Sequence, residues 1–211
     1  MQLKGKRIKP KPLNGRETVS QLVDHWFHAY NGARLREACA LLKEKILKPE
    51  VTVGVSLSGA LTPPGYGVSV LAPLIKAGFI DYIVSTGANL YHDMHYALDL
   101  SMHHGSPFSD DVLLRKKNII RVYDVLFDFE VLHRTDRYLY TLLRHEEFQR
   151  KMATSELHHL LGKYLVETQR QLGIKVETIL TSAYRCGVPI YTSSPGDSTI
   201  GMNVAAMNLF H

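Results

Sequence analysis

The sequence predicts an α/β fold, a parallel sheet flanked by helices, and three stretches carry that prediction. Val51 to Leu57 alternates apolar residues and then passes through Ser58-Gly59-Ala60-Leu61-Thr62-Pro63-Pro64-Gly65 into a helical stretch. Ile83 to Asp93 repeats the arrangement, running through Ser85-Thr86-Gly87-Ala88-Asn89 into the start of a helix. Val188 to Thr192 reads as a short strand that opens into a third small-residue loop, Ser193 to Thr199. A strand that turns through small residues into a helix leaves backbone N–H groups unpaired where the helix dipole favours a negative group. Repetition of the unit points to ligand loops at the carboxyl ends of parallel strands. Neither of the first two loops is a GxGxxG or GxxxxGK[ST] motif, so by themselves their glycines serve equally well as tight turns.

The chain has 211 residues, 45% of them hydrophobic, enough for a sizeable core. We read residues 1–12 as a basic arm and residues 13–211 as one domain. Much of the net charge of +5 sits in that arm, on Lys4, Lys6, Arg7, Lys9 and Lys11. It lacks interleaved aromatic residues, which argues for a solvated arm and against nucleic acid as a partner. There is no run of about 18 apolar residues and no apolar segment behind the basic start, so neither a membrane span nor a signal peptide is expected. Cys39 and Cys186, the two cysteines, each lie in an apolar helical context and read as free buried thiols. That fits a reducing, cytoplasmic compartment.

The elements follow in order. Asn14 with Glu17 marks a helix start, and Leu22, Val23, Trp26, Phe27 and Tyr30 give one apolar face with Trp26 in the core. Leu35, Ala38, Cys39, Leu42 and Ile46 repeat the pattern. After the first loop a helix opens near Pro64 or Gly65 and carries Val68, Leu71, Leu74 and Ile75, with Pro73 kinking or shortening it and Gly78 ending it. Behind the second loop, His92, His95, Leu98, Met102 and His103 share a helix extending from Leu90 to His104. Ile119 to Phe129 is extended or forms short strands. Arg137 to Met152, Ser155 to Gln171 and Glu177 to Arg185 read as helices, the last closing at Gly187. Beyond the third loop, Ile200 to Asn203 leads into Val204 to Phe210.

His92 and His95, three apart on one helix face, raise the question of a metal. A closed zinc site needs four ligands, and no cysteine pair or distant HxxxH completes one, so no metal is expected.

Taken together, the loops Ser58 to Thr62 and Ser85 to Asn89, the run Tyr91 to Leu98, the segment Asn118 to Phe129 and SSPGDSTIG at Ser193 to Gly201 resemble the deoxyhypusine synthase family. The resemblance runs from about Leu13 to His211, over the larger, N-terminal part of a family member, and SLSGALTPPG is nearest the bacterial deoxyhypusine-synthase-like branch. It implies a Rossmann-like parallel sheet, a homotetramer with sites across a dimer interface, and NAD-dependent transfer of an aminobutyl group from spermidine through an active-site lysine. In deoxyhypusine synthase the acceptor is a lysine of a translation factor; in the related homospermidine synthases it is putrescine. NAD offers a hydride sink, a polyamine cation calls for carboxylates, and a Schiff base needs a lysine in a dry pocket. Carried over by position, Ser58, Gly59, Leu61, Thr62, Thr86, Gly87 and Ala88 line the NAD site. Asp197 matches the family aspartate at the cofactor ribose. His92 and Asp93 face the substrate, His92 as amine contact or proton shuttle.

The resemblance also brings differences. His92 stands where the family has a glutamate, and Met202 or Asn203 where it has an amine-binding aspartate. The family's catalytic lysine and its tryptophan neighbour belong to a segment C-terminal to the part matched, and none of Lys43, Lys76, Lys116 or Lys163 sits in that context. The expectation is therefore an aminoalkyl transferase acting on spermidine or a related polyamine, with the lysine segment absent, cleaved or carried on another chain. A homospermidine synthase-like enzyme and a catalytically silent regulatory subunit of an active paralogue are the competing readings. An unrelated nucleotide-binding module is the third.

Overall fold

Helix α1 (Val19–Trp26) starts at a capping box in which Thr18 accepts from the Gln21 amide and the Gln21 side chain accepts from the Thr18 amide. The Asn14–Glu17 pair proposed as the start instead closes a local turn, Asn14 N donating to Glu17 Oε1 at 3.0 Å. The computed structural model describes residue 5 and residues 7–210, with the side chains of Asp197, Asn208 and Phe210 outside that description; Lys4 and Lys6 of the basic arm also lie outside it. The chain divides into two compact units, Met1–Thr52 and Val53–His211, a boundary well past residue 12 where the composition changes.

In the first unit, α1 is followed by α2 (Tyr30–Leu41) and a π-helical turn at Leu42–Ile46. Trp26 is half-buried and not core: its indole Nε1 donates to the Lys11 carbonyl at 2.8 Å, which ties it to the chain's own N-terminal segment. Ala33 is buried in α2, but Cys39 is exposed. Cys186 of the second unit is exposed as well, because its helix ends there and Gly187 turns away with φ +70°. The expectation of buried thiols is corrected at both positions.

The second unit carries the parallel sheet. Strand β1 (Gly54–Leu57) is followed by a π-helical turn, Gly67–Leu71, and helix α3 (Ala72–Lys76). Pro73 explains the change of winding, since it has no N–H to continue the α ladder and sits in the first turn of α3, while Ala72 N bonds five residues back to Gly67 O. Strand β2 (Tyr82–Ser85) then leads into α4 (Gly87–Ala97). Helix α4 stops well short of His104. Leu98 caps it and Asp99 takes a left-handed φ of +54°, so the chain leaves as an extended segment.

That segment ends in β3 (His103–His104), which places His103 on a strand and not on the α4 face. Helix α5 (Asp111–Lys116), β4 (Ile119–Val122) and β5 (Val125–Asp128) complete a small antiparallel sheet of order β3-β5-β4. Asp128 then caps α6 (Phe129–Leu143) by accepting from Glu130 N at 2.7 Å, which starts this helix eight residues before Arg137. Helix α7 (Thr154–Leu172), α8 (Ile179–Cys186), β6 (Ile190–Thr192), a 3-10 turn at Pro195–Asp197 and α9 (Thr199–Phe210) finish the chain. The parallel sheet has the order β1-β2-β6, with Val55 opposite Ile83 and Ile83 opposite Ile190. The fold is α/β, a three-stranded parallel sheet flanked by helices.

Ile83, Leu90, Met94, Leu139, Leu161, Leu165, Ile179 and Leu180 are all fully buried in one core. Helix α7 is fastened to β6 by His158, whose Nδ1 meets Ile190 O at 2.9 Å and whose Nε2 meets Thr192 Oγ1 at 3.3 Å. It packs on α8 at Gly162, where a Cβ would lie 2.5 Å from Leu180 O and 2.8 Å from Tyr184 Cβ. Backbone cannot yield as a side chain can, so Gly162→Ala lowers unfolding stability by about 1–3 kcal/mol, measured by urea denaturation. Among the described residues no helix is long and apolar enough to cross a membrane.

Candidate functional site

Because β1, β2 and β6 are parallel and in register at Leu57, Ser85 and Thr192, the segments that follow them leave the sheet along one edge. Asn89, fully buried in the first turn of α4, joins the first two of these loops. Its Oδ1 accepts from Leu61 N at 2.6 Å, its Nδ2 reaches Thr86 Oγ1 at 3.1 Å and Ser58 O at 3.5 Å, and its carbonyl accepts from Thr62 Oγ1 at 2.7 Å. Thr86 Oγ1 in turn donates to Gly59 O at 2.6 Å.

The third loop closes against the second at a glycine. A Cβ on Gly87 would collide with the Ser198 side chain, so only glycine lets Ser198 pack on the N-terminus of α4. Ser198 Oγ donates to Pro195 O at 3.1 Å and accepts from Gly201 N at 3.0 Å, which starts α9.

These bonds sort the residues expected at a cofactor. Thr62 is 1% exposed, and its hydroxyl is spent on Asn89; the Thr86 hydroxyl is spent between the loops. Ser58, Gly59 and Leu61 are exposed, Ala88 is half-buried, and Gly59, at φ +61°, has nothing within 4 Å of where a Cβ would sit. The open part of the site is thus the Ser58–Gly59–Leu61 side. Asp197 closes the 3-10 turn by its backbone, and its side chain lies outside the described residues.

Asp93 is fully buried. Its two oxygens accept from Ile179 N and Leu180 N, each at 2.9 Å, which are the first two amides of α8, while Thr178 Oγ1 takes the third, from Thr181. Gly67 gives it room, since a Cβ there would lie 2.9 Å from Asp93 Oδ1. Burial raises the carboxyl to about 6 against the opposing pull of these amides. Asp93 therefore anchors α8 and does not face an opening.

His92 is half-buried, its ring 5.0 Å from that of His95 and 6.1 Å from Phe127. Burial lowers it to about 4, so it is a neutral imidazole at neutral pH, and its Nδ1 has no partner. His95 is fully buried and lowered to about 3 by burial and by His92. Its Nδ1 lies 2.8 Å from Thr135 Oγ1, whose hydroxyl donates to Val131 O at 2.9 Å. Thr135 must then accept, which fixes the proton on His95 Nδ1 and leaves Nε2 a buried, unpartnered acceptor. Beside it the Tyr91 hydroxyl donates to Asp136 Oδ1 at 2.8 Å, and Asn203 Nδ2 donates to the same oxygen at 3.0 Å. Burial and the Asp136 carboxylate push the Tyr91 phenol up, so it stays protonated.

Sequence reasoning missed Asn89 as the loop clamp and the Tyr91–Asp136–Asn203 cluster. Asn89 was visible as a polar residue in the first turn of a helix that starts on glycine, whereas Asp136 lies 45 residues from Tyr91 and offered no local signal. Among the described residues no three His, Cys, Asp or Glu side chains are arranged to hold a metal ion.

Known proteins share the sequence, and one solved structure shares the fold. The deoxyhypusine synthase family matches residues 21–210. The deoxyhypusine synthase-like protein of Cyanothece sp. is 56% identical over 208 residues, 99% of this chain and 52% of its own. That of Nostoc sp. strain PCC 7120 is 58% identical over 205 residues, 97% of this chain and 54% of its own. The chain thus spans about half the length of the curated relatives it matches. A crystal structure described as a deoxyhypusine synthase from Entamoeba histolytica superposes with a TM-score of 0.63 at 15% identity, covering 97% of this chain and 68% of that one, and so shares its fold. With nearly its whole length matched, the chain belongs to the deoxyhypusine synthase family.

Proposed function

We propose that this chain is the cofactor-binding part of an NAD-dependent aminoalkyl transferase acting on spermidine or a related polyamine. The observation that carries the reading is the convergence of three small-residue loops at the carboxyl edge of a parallel sheet, with the N-terminus of α4 among them. The exposed Ser58, Gly59 and Leu61 fit the edge of a dinucleotide, and Asp197 would accept from its ribose hydroxyls. Thr62, Thr86, Gly87 and Ala88 shape the loops around it. NAD, when bound, supplies the hydride acceptor for amine oxidation.

The chain's own residues orient and desolvate. Asp93 and Asn89 fix the loops and α8, and His92 offers an uncharged ring nitrogen that can accept a hydrogen bond from an amine. A neutral His92 suits a contact better than a shuttle that must hold a proton near pH 7. In this reading a lysine from outside the described residues carries the transferred group, and the working enzyme is an oligomer.

Calorimetric titration of the 211-residue protein with NAD tests the reading. Asp197→Ala weakens binding about tenfold, the value of a lost charge-assisted hydrogen bond, with an unchanged melting temperature. Unchanged affinity removes Asp197 from the site. NAD-dependent consumption of spermidine by the complete assembly separates the enzyme from the silent subunit.

A further inference from the structure

Two histidines of α4 each leave a buried ring nitrogen without a hydrogen bond, His92 at Nδ1 and His95 at Nε2. His95 is fully buried, and its Nδ1–H is spent on Thr135, whose own hydroxyl goes to Val131 O. Its Nε2 is therefore a lone pair inside the protein with no donor. Unmet polar atoms are rare in an interior, and two on neighbouring rings call for a common explanation.

The surroundings offer neither nitrogen a partner. Phe127 of β5 lies 6.1 Å from both rings, and the Tyr91 ring lies 5.7 Å from His92 and 4.9 Å from His95. The Tyr91 hydroxyl and Asn203 of α9 are committed to Asp136 of α6, and Asp93 is committed to α8. Among the described residues no carboxylate bonds either imidazole. Each orphan nitrogen has the other ring within reach, since the centroids are 5.0 Å apart and the planes stand at 76°. An N–H···N bond of about 3 Å sets the centroids of two imidazoles roughly 5 Å apart, so a small turn of one ring closes it. Burial keeps both rings neutral at pH 7.

We propose that His92 Nδ1–H donates to His95 Nε2, so that Val131 O, Thr135, His95 and His92 form one chain of hydrogen bonds whose direction is set at Thr135. Each link follows from the one before. Thr135 gives its proton to a main-chain carbonyl and accepts from His95, and His95 can then only accept from His92. The proton of His92 sits on Nδ1, and its Nε2 carries the lone pair. His95 is thus a positioning residue. It makes His92 Nε2 a fixed acceptor, which the N–H of an amine can use and a carboxylate or phosphate cannot. That consequence rests on the proposed function, in which His92 faces the substrate; the chain of bonds does not.

Nitrogen-15 NMR of the 211-residue protein labelled at histidine reads the tautomers at pH 7. Both His92 and His95 are expected in the Nδ1–H form, with a nitrogen–nitrogen coupling carried across the bond between them. His95→Leu removes the acceptor, and His92 passes to the Nε2–H form that a free imidazole prefers. His95→Gln restores Nδ1–H, because its side-chain carbonyl can accept in place of Nε2. A merely structural role for His95 would lower the melting temperature of both variants and leave the His92 tautomer unmoved. His92 in the Nε2–H form in the wild-type protein overturns the proposal whether or not the variants fold, since the two orphan nitrogens are then both acceptors. An Nδ1–H form that persists in folded His95→Leu overturns it as well, and so does an absent coupling, the mark of a water between the rings. The tautomers do not depend on what the site binds. A protein that shows them and takes up no NAD keeps this chain of bonds and loses the proposed function, and the reverse result loses the chain alone.

Discussion

Asp93→Ala destabilises the Val53–His211 unit by about 2–4 kcal/mol at pH 7, a large share of the 5–15 kcal/mol that holds a domain together. The change leaves Ile179 N and Leu180 N without an acceptor in the core and removes the negative charge from the N-terminus of α8. Asp93→Asn keeps one acceptor but turns an NH2 toward the other amide, and falls between wild type and alanine. The effect depends on pH with a definite sign. The carboxyl rises from 3.8 in the unfolded chain to about 6 in the folded one, so the folded state holds its proton more tightly. Its contribution to stability is greatest below about pH 4 and falls by roughly 3 kcal/mol as the pH rises to 6, beyond which it is constant. Urea midpoints of wild type and Asp93→Asn at pH 4.5 and pH 7 check this, and the gap between them should widen at the lower pH.

Asn89→Ala acts on the loops. It removes the acceptor for Leu61 N and the donors to Thr86 Oγ1 and Ser58 O, while the bond from Thr62 to its main-chain carbonyl survives. The Ser58–Leu61 stretch then keeps only the bond from Thr86 Oγ1 to Gly59 O beside the start of α4. We expect a loss of about 2 kcal/mol in stability and at least tenfold in NAD affinity. Amide exchange at Gly59 to Thr62 faster by the same factor, beside a titration with NAD, measures both. Asn89→Asp retains the acceptor for Leu61 and loses only the donors, and so falls between the two.

The strands and their loops were legible because alternation of side chains and small-residue turns are local properties, read correctly at Leu57, Ser85 and Thr192. The starts of α1 and α6 were misplaced, by about one turn and by eight residues, for a local reason too, since Thr18 and Asp128 are the caps. The end of α4 was not legible, because a left-handed Asp99 has no pattern to announce it. Asp93 was misread for a different cause. A carboxylate at the base of a ligand loop looks like a substrate contact until its partners appear 86 and 87 residues away in sequence. His92 and His95 were rightly placed on one face, but only the hydroxyl of Thr135 shows which nitrogen of His95 bears the proton.

The pairing of β2 with β6 has a consequence for the order in which the molecule folds. Strands β1 and β2 are joined by a short crossover and can associate as soon as both are made, whereas Ile83 must wait for Ile190. Contacts this distant in sequence close late and slow the search. Until then β2 offers an unpaired edge, and a growing chain on the ribosome carries that edge exposed while α4 to α8 are synthesised. The third loop arrives only with β6, so the edge where the three loops meet forms only after β2 and β6 have paired.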